Sequence, residues 1–403
     1  MRRVAVTGIG VICALGRNRQ EFWISLREGR SGIRQIEGID ISLLRFQNGA
    51  QVPGYQPTDY FEPKVADLLD PFAQYAAIAA REAVEDSGIE FTPELKPRAG
   101  VITGCCVGGQ STEDVGFVDL YRENRNRVHP MTIPRIMANA GASQISLEFG
   151  LTGPVYTVST ACASANHAMG QAYWMVRSGA VEAAITGGSE AIFSMGFLKA
   201  WEAMRVVAPD TCRPFSKDRK GLILGEGAAM LVLEPLDRAQ ARGARIYGEI
   251  SGFGMSSDAH HITMPSVAGP SAAIRAALDD SGFRPEQIGY INAHGTGTSA
   301  NDPTETKAIR EVFRCHANRI AVSSTKSMHG HALGAAGALE AAATLCALSE
   351  RFLPPTANYV ISDPDCDLDV IPNEGRPADI ECALSNAFAF GGLNAVVAFR
   401  AAR

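Results

Sequence analysis

Residues 158–170 read VSTACASANHAMG and residues 322–334 read VSSTKSMHGHALG, the same short segment written twice. The first copy carries Cys162 where the second carries Lys326, and both continue to His-Ala-Met/Leu-Gly, at His167 and His331. One copy thus offers a nucleophile and the other a cation, which points to a duplicated fold whose halves share one active site. A third segment, Asn292-Ala293-His294-Gly295-Thr296-Gly297-Thr298, adds a histidine in a turn whose glycines free the backbone to bend tightly.

These side chains need elements to hold them. Pro154–Val158 reads as a buried strand, and Ala165–Arg177 spaces its apolar residues like a helix that Ser178-Gly179 ends. Cys162 then falls on a strand-to-helix turn, where the helix dipole and free backbone N–H groups lower a thiol's pKa and can hold an oxyanion. The bland alternative is a small buried hydrophobe, the commonest fate of a free cysteine. A lone histidine is also more often structural than catalytic, but His294, Lys326 and His331 all follow predicted strands in the second half.

A second pair of segments supports duplication. Ala76–Gly88 (AAIAAREAVEDSG) resembles Ala272–Gly282 (AAIRAALDDSG), both with helical spacing and both ending at Gly. The offsets of the two pairs differ, so the first half should carry an insertion at about residues 105–153. The halves would run 1–240, with the nucleophile, and 241–403, with the His/Lys/His set. Short apolar strands at Val4–Thr7, Val155–Val158, Ala183–Thr186, Ile291–Ala293 and Ile320–Ser323 alternate with helical stretches, the pattern of an α/β protein. The acidic, Pro-rich segment Pro354–Pro372 reads as a surface loop.

At 403 residues the chain is long enough for two such halves, and its net charge of −6 with no basic stripe gives no footprint for nucleic acid. Nine cysteines form neither a disulfide framework nor a zinc spacing, which favours a reducing compartment. The most apolar stretch, Gly334–Leu348, contains Glu340 and is no membrane span, so the protein reads as cytoplasmic. His329 and His331 lack a Cys or carboxylate at zinc-site spacing. Gly8-Ile9-Gly10 has Cys13 where a dinucleotide fingerprint needs its third glycine, and Gly225-Glu226-Gly227 puts an acid where a pyrophosphate would be repelled. Both mark tight backbone packing instead.

Taken together, TACASA, NAHGTGT, STKSMHGHALGAAGALE and SNAFAFGGLN resemble the β-ketoacyl-[acyl-carrier-protein] synthases, the condensing enzymes of fatty-acid and polyketide synthesis. The resemblance runs from Arg3 to Phe399. WEAMRVVAPDTCRPFSKDRKGLILGEGAA and LPPTANYVISDPDCDLDVIPN resemble the branch that includes the rhizobial nodulation synthases. It implies an internally duplicated, five-layer α/β/α/β/α thiolase-like fold, usually a homodimer, with a heterodimer containing a non-catalytic chain-length partner as the alternative. It implies acyl carrier protein as partner and no required cofactor.

Residue by residue, the resemblance makes Cys162 the acyl-accepting nucleophile. The oxyanion donors are the N–H groups of Cys162 and Phe390, and the gate loop is Ala389-Phe390-Gly391-Gly392, with Ala389 where a glycine is usual. His294 and His331 become neutral donors to an enolate, and Lys326 a cation that holds His331 in place. Thr296 and Thr298 would bond the pantetheine arm, while Val107, Thr132 and Phe388 border the acyl chain. Lys64 and Arg205 would meet the carrier protein, with Asp67 where another cation is usual. Asn292, Glu305, Glu340, Ser385 and Asn386 match a buried structural monovalent-cation site, or serve as buried hydrogen-bond partners. A thiolase would need a second cysteine in a Cys-x-Gly turn, which Cys382 is not, and a purely non-catalytic subunit would lack Cys162.

Overall fold

The computed structural model describes residues 1–402. Its main sheet has ten strands: β1 (Val4–Cys13), β2 (Ala99–Gly104), β3 (Val155–Val158), β4 (Ala183–Glu190) and β5 (Gly227–Pro235), then β6 (Gly248–Ser257), β7 (Ile288–Asn292), β8 (Ala321–Ser323), β9 (Cys382–Ala389) and β10 (Leu393–Ala401). The spatial order is β8-β7-β9-β10-β6-β1-β5-β4-β2-β3. Read outward from the centre, each strand of one half has its counterpart five numbers away in the other. The three outer strands of each set run parallel and the two inner ones antiparallel. The halves join where Val4–Val6 pairs with Gly248–Ile250, which makes the two sheets continuous.

The helices explain the layers. Main helices are α1 (Pro71–Ser87), α2 (Ser164–Ser178), α3 (Met195–Met204), α4 (Ala268–Ser281), α5 (Asn301–Phe313) and α6 (Ala336–Glu350). α2 and α6 pack on each other and on strands of the sheet, α2 touching both halves, so they form the middle layer, while α1 and α4 cover the outer faces. That position accounts for the Gly334–Leu348 stretch: from Ala336 to Leu348 every residue of α6 is buried, as a helix apolar on all sides must be. The resulting α/β/α/β/α stack is the duplicated thiolase-like arrangement. α1 starts at Asp70, whose side chain accepts from Phe72 N, and ends at Gly88 (φ 59°), and α4 ends at Gly282 (φ 69°).

Two expectations change. β1 continues six residues past Thr7, and the tight packing expected at Gly8 and Gly10 is the close approach of α1 to it. A Cβ there would stand 2.0 Å and 1.9 Å from Ala83 O and Ala79 O. The segment 354–372 is not simply a surface loop. Val322 N donates to Asp369 O at 2.8 Å, Thr356 bridges Pro372, and Pro354–Ala357 are buried, so this stretch closes the open edge of β8. Among the described residues no helix is long and apolar enough to cross a membrane.

Candidate active site

Cys162 sits two residues before α2, on the turn that leaves β3. Ala161 takes φ 49°, a left-handed value costly for a residue with a Cβ, and its neighbours hold it there. Thr160 N donates to Ser164 Oγ (2.9 Å), Ser164 Oγ to Ala161 O (2.6 Å), and His167 Nδ1 lies 2.9 Å from Thr160 Oγ1. The turn aims the thiol at the second half. Burial pushes that thiol up to about 12, against the pull of Lys326. The net direction is opposite to the expected lowering: Cys162 is only 6% exposed, and desolvation of a thiolate, with Glu190 and Glu340 nearby, outweighs Lys326 and the backbone N–H of the turn.

β7 and β8 are parallel neighbours, with Ser323 opposite Asn292, so residues just past their ends meet. Lys326 Nζ donates to His294 O at 2.7 Å, lies 3.4 Å from His294 Nδ1, and pairs with Glu340 Oε1. Lys326 thus holds His294, not His331 as expected, because strand pairing makes His294 its neighbour. His331 is held by its own chain: Leu333 N donates to its Nδ1 at 3.2 Å. An ammonium and a backbone N–H can only donate, so both Nδ1 atoms accept and both rings carry their proton on Nε2. Burial and Lys326 hold both imidazoles well below the usual histidine range, hence neutral. Their rings lie edge to face, with centroids 5.4 Å apart. His329 is structural, with Nδ1 2.8 Å from Gly330 O and Nε2 3.0 Å from Thr325 Oγ1.

A cavity of about 290 Å³ joins these groups, lined by Cys162, His294, Thr296, Thr298, His331 and Phe388 among others. Thr296 and Thr298 share a hydroxyl contact of 2.9 Å, on a turn made possible by Gly295 (φ 35°) and Gly297 (φ 75°). Ala389 and Phe390 border the cavity. Gly391 N donates to Ile262 O at 2.7 Å, tying the loop at residues 389–392 to the segment 261–265 that also lines the cavity. Ala389 ends β9 with an ordinary negative φ, so its Cβ costs nothing in this conformation.

Val107 and Thr132 lie outside this lining. Val107 packs half-buried against the core that contains Cys162, and Thr132 starts a short helix in the insertion with its hydroxyl donating to His129 O at 2.6 Å. Lys64 and Arg205 are both exposed, Arg205 capping α3 at φ 57°. Asp67, 65% exposed at its side chain, contacts His129 Nε2 at 3.1 Å.

Behind the site, the five residues matched to a cation site divide in two. Glu305 accepts from His294 N and Gly295 N at 2.8 Å each and from Asn386 Nδ2 at 3.1 Å, so it already shapes the histidine turn. Asn292 Oδ1, Glu340 Oε2, Ser385 Oγ and Asn386 Oδ1 are buried with no partner. Orphaned oxygens are the donor type a hard cation takes, and Ser385 and Asn292 stand opposite each other on paired strands, so the chemistry of these donors fits one.

Two contributors escaped the sequence. Trp201 of α3 stacks on Phe390, with centroids 6.1 Å apart and planes 24° apart, and Glu190 ends β4 as a fully buried carboxylate beside Cys106 and Gly334. Neither carries a local motif. Only the fold brings them to the site.

The chain is similar to known proteins over nearly its whole length. The family model described as Beta-ketoacyl synthase, N-terminal domain, matches residues 1–239, and Beta-ketoacyl synthase, C-terminal domain, matches residues 247–360. The chain is 48% identical over 399 residues to Nodulation protein E of Rhizobium sp. (strain N33), covering 99% of each. It is 41% identical over 408 residues to 3-oxoacyl-[acyl-carrier-protein] synthase 2 of Synechocystis sp. (strain ATCC 27184 / PCC 6803 / Kazusa), covering 99% of this chain and 98% of that one. Among solved structures, the ishigamide ketosynthase/chain length factor superposes with a TM-score of 0.94 at 39% identity, covering both chains fully.

Proposed function

The chain belongs to the β-ketoacyl synthase family, and from that premise we propose how its own residues divide the condensation. The enzyme is an acyltransferase that moves the acyl group of an acyl-carrier protein onto malonyl-carrier protein, giving 3-oxoacyl-carrier protein, free carrier protein and CO₂. In the first half-reaction the Cys162 sulfur attacks the acyl thioester. Its proton passes to the departing pantetheine sulfur, so no net charge is left behind. The transient oxyanion is met by the N–H groups of Cys162 and Phe390. Because burial holds the thiol up, attack and proton loss occur together, with Lys326 favouring the thiolate as it forms.

In the second half-reaction the malonyl thioester enters the same cavity, its pantetheine arm along Thr296 and Thr298. As the C–C bond to the carboxylate breaks, the electron pair moves toward the thioester oxygen. The Nε2–H groups of His294 and His331 stabilise that charge, and the carbanion then attacks the acyl-Cys162 carbonyl, breaking its C–S bond so that Cys162 leaves as a thiolate and takes a proton from solvent. The observation that carries this reading is the pair of neutral imidazoles with fixed tautomers beside a nucleophilic turn. Incubating the protein with a series of acyl-carrier proteins and weighing it intact tests it, since a single acyl adduct should map to Cys162. His294→Ala and His331→Ala should each slow CO₂ release from malonyl-carrier protein about 10²–10³-fold even on enzyme already acylated. Release at the wild-type rate in either variant removes that histidine from the enolate site.

The finer assignments are supported by position. Val107, Thr132 and Phe388 bound the acyl chain, and the oxygens of Asn292, Glu340, Ser385 and Asn386, with Glu305 among them shaping the histidine turn, hold a structural monovalent cation that supplies positive charge near Glu340. A second copy of the chain, or a chain-length partner, covers β3, an edge strand left half-buried beside an insertion that exposes Val115, Phe117, Tyr121 and Ile133. Similarity to nodulation-type synthases and to the ishigamide enzyme favours a dedicated acyl or polyketide product over housekeeping elongation.

Carrier choice would be made partly by charge. Lys64 and Arg205 attract an acidic carrier and Asp67 repels it. Asp67→Arg should raise the rate with a housekeeping carrier about two- to five-fold at low salt, the gain shrinking with ionic strength. No gain, or one indifferent to salt, places the choice at another surface.

A further inference from the structure

Glu190 is a heavily engaged buried carboxylate near the site that the condensation does not use. It is 0% exposed and ends β4, in the first half. Oε2 accepts from Cys106 N at 2.8 Å and from Gly334 N at 3.0 Å, and Oε1 from Val107 N at 3.2 Å and Cys105 Sγ at 3.3 Å. One carboxylate thereby fastens the loop after β2 to the loop after His331 in the other half. The approach is close: a Cβ on Gly334 would stand 2.5 Å from Cys106 N and 2.6 Å from Glu190 Oε2.

The bond to Gly334 matters because of its neighbour. Leu333 holds φ 43°, left-handed for a residue with a Cβ, and in that conformation its N–H reaches His331 Nδ1. Strain of this kind persists only where the surroundings impose it. Gly334 N is pinned by Glu190, Ala335 N donates to Ala332 O at 2.9 Å, and Leu333 itself is buried. Resting on the functional reading above, we infer that Glu190 is a positioning residue for His331: by anchoring Gly334 it keeps Leu333 N–H on Nδ1 and so keeps the Nε2–H of His331 aimed at the enolate.

This role requires an acceptor on both oxygens. Protonation would turn one oxygen into a donor facing an N–H, and amide substitution would do the same permanently. Burial pushes Glu190 up to about 7, opposed by its bonds from Cys106 N, Cys105 Sγ, Val107 N and Gly334 N. The ionisable groups that face it are the thiols of Cys105 and Cys106, with Cys162 beyond, all pushed up by burial. His294 and His331 are neutral throughout the range concerned. The carboxylate form is therefore populated above about pH 7 and lost below it.

The experiment separates the two half-reactions between pH 6 and pH 8. On wild-type enzyme already acylated at Cys162, CO₂ release from malonyl-carrier protein should fall roughly tenfold from pH 8 to pH 6, as one titrating group dictates, while acyl transfer to Cys162 stays nearly flat. Glu190→Gln should lower CO₂ release at least tenfold at pH 8, flatten its pH profile, and change the acylation rate by less than about twofold. A flat wild-type profile overturns the inference even if the variant fails to fold. Equal loss of both half-reactions in a folded Glu190→Gln overturns it too, since that is what a merely structural carboxylate would give. Wild-type enzyme that neither acylates nor releases CO₂ overturns the condensation itself, a result distinguishable from either of these.

Discussion

Cys162→Ala should yield a folded protein that neither accepts an acyl group nor condenses one, with turnover lowered about 10⁶-fold, the scale on which covalent hydrolases lose activity without their nucleophile. Alanine suits the site sterically: Cys162 is buried, makes no structural hydrogen bond through sulfur that the turn depends on, and precedes a helix start held by Thr160, Ser164 and His167. The unfolding midpoint should accordingly move little. The nearest rival thiol is Cys106, which burial pushes up and which faces the Glu190 carboxylate, not Lys326. Intact-mass measurement after incubation with acyl-carrier protein should show no adduct. An adduct that persists and maps to Cys106 or any other residue would sink the assignment of the nucleophile.

The catalytic constellation was legible because it is encoded in a repeat. Aligning 158–170 with 322–334 equates the ends of β3 and β8, and the sheet order places those strands at equivalent positions of the two halves. The helix pair ending at Gly88 and Gly282 was readable for the same reason, since a left-handed glycine past an amphipathic run is a local signal. What failed to read was pairing between elements. Lys326 was matched to His331, its near neighbour in sequence, whereas the parallel β7–β8 register gives it to His294. Burial was equally invisible: the helix turn suggested a lowered thiol pKa, and only full enclosure of Cys162 reverses the sign. Trp201 and Glu190 are single residues on unremarkable stretches, and the contacts that bring them to the site reach far along the chain, 83 positions from Glu190 to Val107 and 144 from Glu190 to Gly334. Residues 354–372 look like a loop by composition, yet an exposed strand edge must be covered, and β8 recruits them.

Lys326 should carry the largest stability effect of any site residue. Its ammonium and the Glu340 carboxylate form an ion pair with both side chains 0% exposed, and the same ammonium donates to His294 O. Bringing two charges out of water is offset here only by their mutual attraction and by that extra bond. Lys326→Met keeps the volume but takes from the buried Glu340 carboxyl, beside Glu305, the ammonium that offsets its desolvation, so it should cost about 3–5 kcal/mol in urea unfolding. Glu340→Leu alone should cost a similar amount, because it strands the ammonium. Removing both replaces a buried pair with hydrocarbon, and the double variant should be more stable than either single one, though inactive because His294 loses its anchor. The double-mutant cycle reads the coupling directly. If the double variant lost the sum of the two single losses, the pair would not be coupled, and Lys326 would be held in the core by His294 O alone.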